Sequence, residues 1–293
     1  MKIAIASGKG GTGKTTVASN LAWLAARSGR SVAYVDCDVE EPNGHLFLKP
    51  QLTSTRAIGR LHPSVNEEKC THCGLCDEIC QYSAIVCVGQ KVLVYPELCH
   101  ACGGCALVCR PGAITEVLRQ TGSLETGMAG SLHFAHGVLN IGEAMSAPLI
   151  RQVKAECVAE DLRIFDCPPG TSCPVIESVR DADMVLLVTE PTPFGLNDLK
   201  LAVEMVRALR LPFAVVINRA GVGDHKTQEY CRSESIDILA ELPDYRRVAE
   251  AYSRGVLAGE VVPQFRTRLE DLLSRLCGCD QVSTLPVFHE VVQ

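Results

Sequence analysis

Five short segments, Ile3–Ala6, Val32–Val35, Leu162–Phe165, Met184–Val188 and Phe213–Ile217, are apolar at nearly every position rather than at alternate ones. That pattern is expected of parallel strands covered by helices on both faces. Stretches with helical spacing follow them, at Lys14–Ser28, Gly142–Glu160, Asn197–Leu209, Tyr245–Ser253 and Phe265–Leu276. The last carries Phe265, Leu269, Leu272, Leu273 and Leu276 on one apolar face, which predicts packing on the body rather than membrane anchoring. Strand–helix–strand order repeated in this way implies right-handed crossovers and a doubly wound, mainly parallel α/β sheet. Polar residues stand where the strands end: Asp36, Asp166, Glu190 and Asn218. In an open parallel sheet those carboxyl ends border the ligand crevice.

The alternation breaks between about Arg60 and Glu116, where a cysteine pattern repeats at an offset of 29 residues. Cys70, Cys73, Cys76 and Cys80 become Cys99, Cys102, Cys105 and Cys109, while Ala84-Ile85 becomes Ala113-Ile114 and Glu68 becomes Glu97. A duplicated module set inside the α/β domain is therefore expected. The predicted organisation is 1–59 and 117–276 as the two parts of the α/β domain, 60–116 as the insert and 277–293 as a tail, with Gly59 and Gly122–Gly130 as junctions.

Composition narrows the class. With 293 residues, 47% hydrophobic, the chain can bury a sizeable core, and its net charge of −6 argues against general nucleic-acid binding. Neither a signal-peptide core at the N-terminus nor an apolar window of membrane-spanning length is present, so a cytoplasmic protein is expected. Thiols stay reduced there, so 16 cysteines point to metal rather than disulfides.

Gly8-Lys9-Gly10-Gly11-Thr12-Gly13-Lys14-Thr15 fits the phosphate-loop pattern G-x-x-x-x-G-K-S/T, between a predicted strand and a predicted helix. Glycines let several backbone N–H groups point at one phosphate, and the helix N-terminus adds its dipole. Gly8, Gly10, Gly11, Thr12, Gly13, Lys14, Thr15 and Thr16 are the candidate phosphate cradle. Lys14 would bridge the β- and γ-phosphates, and the Thr15 hydroxyl would hold Mg²⁺. Asp36 and Asp166 would hold the same ion through water, and the Pro168-Pro169-Gly170 turn would offer the Gly170 N–H to the γ-phosphate.

Lys9, ahead of the Gly-Gly-Thr-Gly-Lys run, resembles the signature lysine of the MinD/ParA/Mrp ATPase superfamily. Asp36 to Asn43 resembles its first switch and Asp166 to Gly170 its second. The likeness covers Met1 to Gly59 and about Gly127 to Leu276. It implies ATP rather than GTP, a nucleotide-sandwich homodimer in which Lys9 reaches the partner's phosphates, Asp38 positioning the attacking water, and Asn218 contacting adenine.

C-x₂-C-x₂-C-x₃-C occurring twice is the spacing of [4Fe–4S] ligation, in which the fourth cysteine of each run serves the other cluster. Cluster one would take Cys70, Cys73, Cys76 and Cys109, and cluster two Cys99, Cys102, Cys105 and Cys80. Structural zinc prefers paired CxxC knuckles, which leaves the third cysteine surplus. The segment resembles a bacterial-type two-cluster ferredoxin, although the proline usual after the fourth cysteine is displaced to Pro111 and missing after Cys80.

Cys37, Cys87, Cys157, Cys167, Cys173 and Cys231 read as core or loop residues. Cys277-Gly278-Cys279 is a candidate metal bridge between subunits, or simply part of the tail. His72 and His100 lie within the cysteine loops, whereas His133 and His136 suggest no role. The expected function is ATP hydrolysis with ferredoxin clusters supplying electrons for iron–sulfur or metal-cofactor assembly on a client protein. The alternatives are ATP-gated electron transfer to a redox enzyme, and a MinD/ParA-like spatial organiser, which the missing basic patch and anchor disfavour.

Overall fold

The computed structural model describes residues 1–156 and 160–278. In chain order its strands are β1 (Lys2–Ala6), β2 (Val32–Asp36), β3 (Gln51–Val65), β4 (Ile85–Val88), β5 (Lys91–Val94), β6 (Ile114–Ala129), β7 (Leu132–Leu139), β8 (Leu162–Asp166), β9 (Met184–Thr189), β10 (Phe213–Ala220) and β11 (Ile238–Pro243). Nine of them form one sheet in the order β11-β10-β9-β1-β8-β2-β7-β6-β3. Neighbours from β11 to β7 are parallel, and β6 and β3 close one edge antiparallel.

The five apolar segments are β1, β2, β8, β9 and β10, and the expected mainly parallel α/β sheet is present. Side-chain alternation along a strand sends Ile3 and Ile5 to one face and Ala4 and Ala6 to the other. The first face is covered by the helices Lys14–Arg27, Arg246–Ser253, Ala258–Val261 and Pro263–Gly278. The second lies under Ala147–Ala155, Cys173–Val179, Pro193–Ala208 and Lys226–Ser233. Leu269, Leu272, Leu273 and Leu276 are buried in the first core, so the last helix packs on the body as its pattern predicts. Among the described residues no helix is long and apolar enough to cross a membrane.

Two helix boundaries differ from the periodicity. The helix expected over Gly142–Glu160 begins only at Ala147, because Pro148 occupies the first turn and Gly142 holds φ at 86°. The helix expected from Asn197 starts at Pro193, where the Thr192 hydroxyl caps it by accepting the Gly195 N–H at 3.0 Å.

The periodicity fades after Gly59 because β3 and β6 leave the body as a two-stranded ribbon, paired from Gln51–Met128 out to Val65–Ile114. Their register slips between Ile58 and Gly59, where Thr121 is the extra residue of a bulge. Gly122 beside it is required by packing, since a Cβ there would stand 2.5 Å from the Val138 carbonyl oxygen and 2.9 Å from a Leu149 methyl.

Segment 66–113 hangs from the ribbon tip and keeps the 29-residue repeat in its backbone. Left-handed φ recurs at His72 and Ala101, at Gly74 and Gly103, and at Ser83 and Gly112. The Asn66 N–H bonds the Ala113 carbonyl at 2.8 Å, and the Tyr95 N–H bonds the Ala84 carbonyl at 2.8 Å. Even the pairing is duplicated: Ile85–Val94 and Cys87–Val92 in the β4/β5 hairpin correspond to Ile114–Val65 and Glu116–Pro63 in the ribbon. The outer ribbon is thus the second hairpin of a pseudo-two-fold unit.

Replacing Gly122 with Ala should destabilise the junction by about 1–3 kcal/mol. A lowered urea midpoint, with protease cleavage appearing first near the ribbon base, would show it; an unchanged midpoint would mean that the close approach is not constraining.

Candidate nucleotide site and cysteine cavities

β1 feeds directly into the loop of Gly8 to Gly13, and the helix Lys14–Arg27 starts at its end. Gly13 has φ 94°, and a Cβ there would fall 2.3 Å from the Asn218 amide nitrogen, so only glycine fits. Asn218, at the end of β10, donates from that amide to the Thr12 carbonyl at 2.8 Å and braces the loop. Lys14 and Thr12 are buried, and the Thr12 hydroxyl has no hydrogen-bond partner. The loop has the geometry of an anion cradle: curled backbone, helix N-terminus and lysine at one point.

The carboxylates gather at the same end of the sheet. Register places Asp36 directly beside Asp166 on adjacent parallel strands, both fully buried. Asp36 accepts from the N–H groups of Asp38 (3.1 Å) and Gly44 (2.9 Å). Asp166 accepts from the Tyr34 hydroxyl at 2.7 Å, while its Oδ1 has no hydrogen-bond partner and Thr15 and Lys14 stand close by. Burial raises the pKa of both acids, and Asp166 raises that of Asp36 further. Asp38 is pushed up to about 6 by burial and by Asp166, with Lys14 pulling the other way. An unpartnered oxygen on a buried carboxylate beside a threonine hydroxyl suits a hydrated Mg²⁺.

Two predicted phosphate contacts have other partners in this chain. Lys9 is ion-paired with Glu190, which Arg219 also holds at 3.2 Å. Burial would raise the Glu190 pKa, yet Lys9, Arg219 and the Thr192 hydroxyl bring it below the usual carboxylate range. Gly170, at φ 97°, donates its N–H to the Ser7 carbonyl at 3.0 Å, a bond that must open before it can serve a phosphate.

The eight motif cysteines line two cavities. One is lined by Cys70, Cys73, Cys76 and Cys109, with Val65, Val92 and Ile114. The other takes Cys80, Cys99, Cys102 and Cys105, with Ile79, Tyr82, His100 and Glu116. Each receives its last cysteine from the other run. All eight are unbridged thiols. The Ala84 N–H points at the Cys80 sulfur (3.3 Å) and the Ala101 N–H at that of Cys99 (3.4 Å). Burial raises the Cys80 thiol, but the backbone N–H groups of Tyr82, Ala84 and Ile85 outweigh it and leave the pKa below its ordinary value. Among the described residues, no three His, Cys, Asp or Glu side chains converge tightly enough for a single metal ion. A cubane needs something else, because each thiolate binds a different iron and the four surround a volume rather than a point.

Cradle and carboxylates at the carboxyl edge of a parallel sheet define a P-loop nucleotide-binding protein. Residues 3–258 match the CobQ/CobB/MinD/ParA nucleotide-binding domain, and the chain belongs to that family, within the MinD/ParA/Mrp group of P-loop ATPases. An uncharacterised protein of Methanocaldococcus jannaschii is 31% identical over 258 residues, covering 87% of this chain and 90% of its own. An iron–sulfur cluster carrier protein of Pyrococcus furiosus is 24% identical over 277 residues, covering 87% and 78%. The fold is shared with the septum site-determining protein MinD of Pyrococcus horikoshii, solved with Mg-ADP, at TM-score 0.60 and 19% identity over 96% of this chain and 97% of that one.

Several site residues gave no sequence signal. Tyr34, whose hydroxyl holds Asp166, reads as one more strand residue. His136 sits on β7 opposite Asp36 and bonds Glu125 at 2.8 Å. Its partner is eleven residues away on another strand, and the mixed pattern of β7 predicts no strand. Cys37 and Cys167 are buried core thiols as expected, Cys231 likewise, and Cys173 is exposed. Cys277 lies in the last turn of the helix Pro263–Gly278 and packs against the first core, whereas Cys157 and residues 279–293 lie outside the described residues, so the Cys277–Cys279 pairing lies there too.

Changing Asn218 to Asp should weaken Mg-ADP binding about tenfold or more, because a carboxylate facing the Thr12 carbonyl replaces a donor by a charged acceptor. Calorimetric titration checks this; unchanged affinity would mean that the brace is dispensable.

Proposed function

We propose that this protein is an ATPase that hydrolyses ATP as a nucleotide-sandwich homodimer and carries two [4Fe–4S] clusters in an inserted ferredoxin domain, supplying electrons for iron–sulfur or metal-cofactor assembly on a client protein. The observation that carries the reading is the crossed lining of the two cavities: four cysteines each, with Cys109 in the first set and Cys80 in the second. The similarity to iron–sulfur cluster carrier proteins supports the assembly branch.

In this reading Gly8 to Thr16 hold the triphosphate, Thr15, Asp36 and Asp166 hold Mg²⁺ directly or through water, and Asp38 orients the attacking water. Lys9 must leave Glu190 to reach the partner's phosphates, so its ion pair opposes dimer closure until ATP arrives. The clusters, when bound, supply one-electron storage and transfer. The cysteines hold them, the Ala84 and Ala101 N–H groups stabilise thiolate charge at Cys80 and Cys99, and Val65, Val92 and Ile114 keep water from the first cavity. Four cysteines to each cavity favour resident clusters over a cluster handed on, so the electron-supplying role is placed ahead of carriage. ATP-gated transfer to a redox enzyme rests on the same two sites and differs in the acceptor.

Anaerobically prepared Lys14→Ala should lose ATP turnover by roughly 100-fold or more while keeping wild-type iron, sulfide and EPR signals. Cys76→Ser should lose about half the iron while retaining Mg-ADP binding, in keeping with one cluster ligated by that set. Stoichiometric zinc in place of iron, or ATP turnover indifferent to Lys14, would overturn the reading.

A further inference from the structure

Arg60 and Arg119 face each other across β3 and β6, and like charges in that relation destabilise a ribbon unless an anion lies between them. Glu143 supplies the anion, 2.8 Å from Arg119 and 3.6 Å from Arg60, with only 2% of its side chain exposed. From there the Arg60 guanidinium extends into the cysteine module, donating to the carbonyls of Cys99 (2.5 Å), Pro96 (3.2 Å) and Glu97 (3.2 Å). Arg119 reaches the Glu97 carboxylate at 3.4 Å. Cys99 belongs to the second cysteine set, so this clamp grips the backbone of one of its members.

Glu143 is also tied to the nucleotide side. It lies in the loop leaving β7, where the Leu139 N–H donates at 2.8 Å to the carbonyl of Val39, the residue after Asp38. The next residue, Asn140, donates from its backbone to the Thr121 carbonyl at the ribbon bulge (2.9 Å), and the Glu143 N–H closes onto the Asn140 carbonyl (3.1 Å). A continuous path therefore runs from Asp38-Val39 through Leu139-Asn140 to Glu143, Arg60 and Cys99.

We propose that Glu143, held between Arg60 and Arg119, is a positioning residue through which the nucleotide state of segment 36–43 is transmitted to the backbone around Cys99. The inference rests on the reading that the loop at 8–15 turns over ATP and that the cysteines hold clusters. A buried carboxylate between two guanidiniums is attracted from both sides with little screening by water, so it moves with them. When the 36–43 segment shifts, Leu139 moves with Val39, Glu143 follows, and the Arg60 fork tightens or releases its three carbonyls.

Hydrogen–deuterium exchange on the cluster-loaded full chain tests this, comparing no nucleotide, Mg-ADP and a non-hydrolysable ATP analogue. The wild type should show a nucleotide-dependent change of about fivefold or more in exchange over residues 96–103. Glu143→Gln should abolish that difference while keeping nucleotide affinity, iron content and the change over residues 36–43. Arg60→Lys, which keeps the charge but loses the fork, should do the same. A wild type with no nucleotide-dependent difference over 96–103, or variants that both retain it, overturns the proposal. Iron analysis of the same samples reads the cluster assignment separately: an iron-free chain that still shows the Glu143-dependent difference would sink the cluster reading and leave the coupling standing.

Discussion

Two carboxylates placed side by side at adjacent strand ends, Asp36 and Asp166, set the terms for the rest of the nucleotide site. Buried like charges repel in a low-dielectric interior, and the protein relieves that repulsion only in part. The Tyr34 hydroxyl, two N–H groups and Lys14 each contribute, yet both acids keep raised pKa values. A divalent cation with a phosphate chain behind it would complete the balance. In the proposed reading the site is completed by its ligand. The register that creates the pair is the β2/β8 register, so the pairing of the two charges follows from strand order.

The strands that carry that register were legible because they are uniformly apolar, though their pairing was not; the phosphate loop, the two cysteine runs and their 29-residue repeat were legible too. These are short-range patterns in which neighbouring residues do one job. β7 escaped notice: Leu132 to Leu139 interleaves two histidines and a glycine with its apolar residues, and only pairing with β2 and β6 makes it a strand. β3 and β6 were missed for a related reason, since residues 51–57 of β3 and 115–118 of β6 are exposed and carry no core-facing period.

The site divided along the same line. Residues proposed to hold phosphate or metal by virtue of a motif could be named in advance. Residues that act on those residues could not, because Tyr34 and Asp166, Lys9 and Glu190, and Arg60 and Glu143 meet only through the fold, 80 or more positions apart. Asn218 lies between the two cases. Its place at a strand end was visible, but its hold on the Thr12 carbonyl depends on β10 lying one strand beyond β9, the neighbour of β1.

The cysteine module joins its host through two antiparallel strands lying side by side, roughly 5 Å apart. Its entrance and exit are therefore almost the same point, at the edge of the sheet and beyond the last parallel strand. A segment attached there can be gained, lost or exchanged by lengthening or shortening one hairpin, without altering the order of any strand that carries the phosphate loop or the paired aspartates.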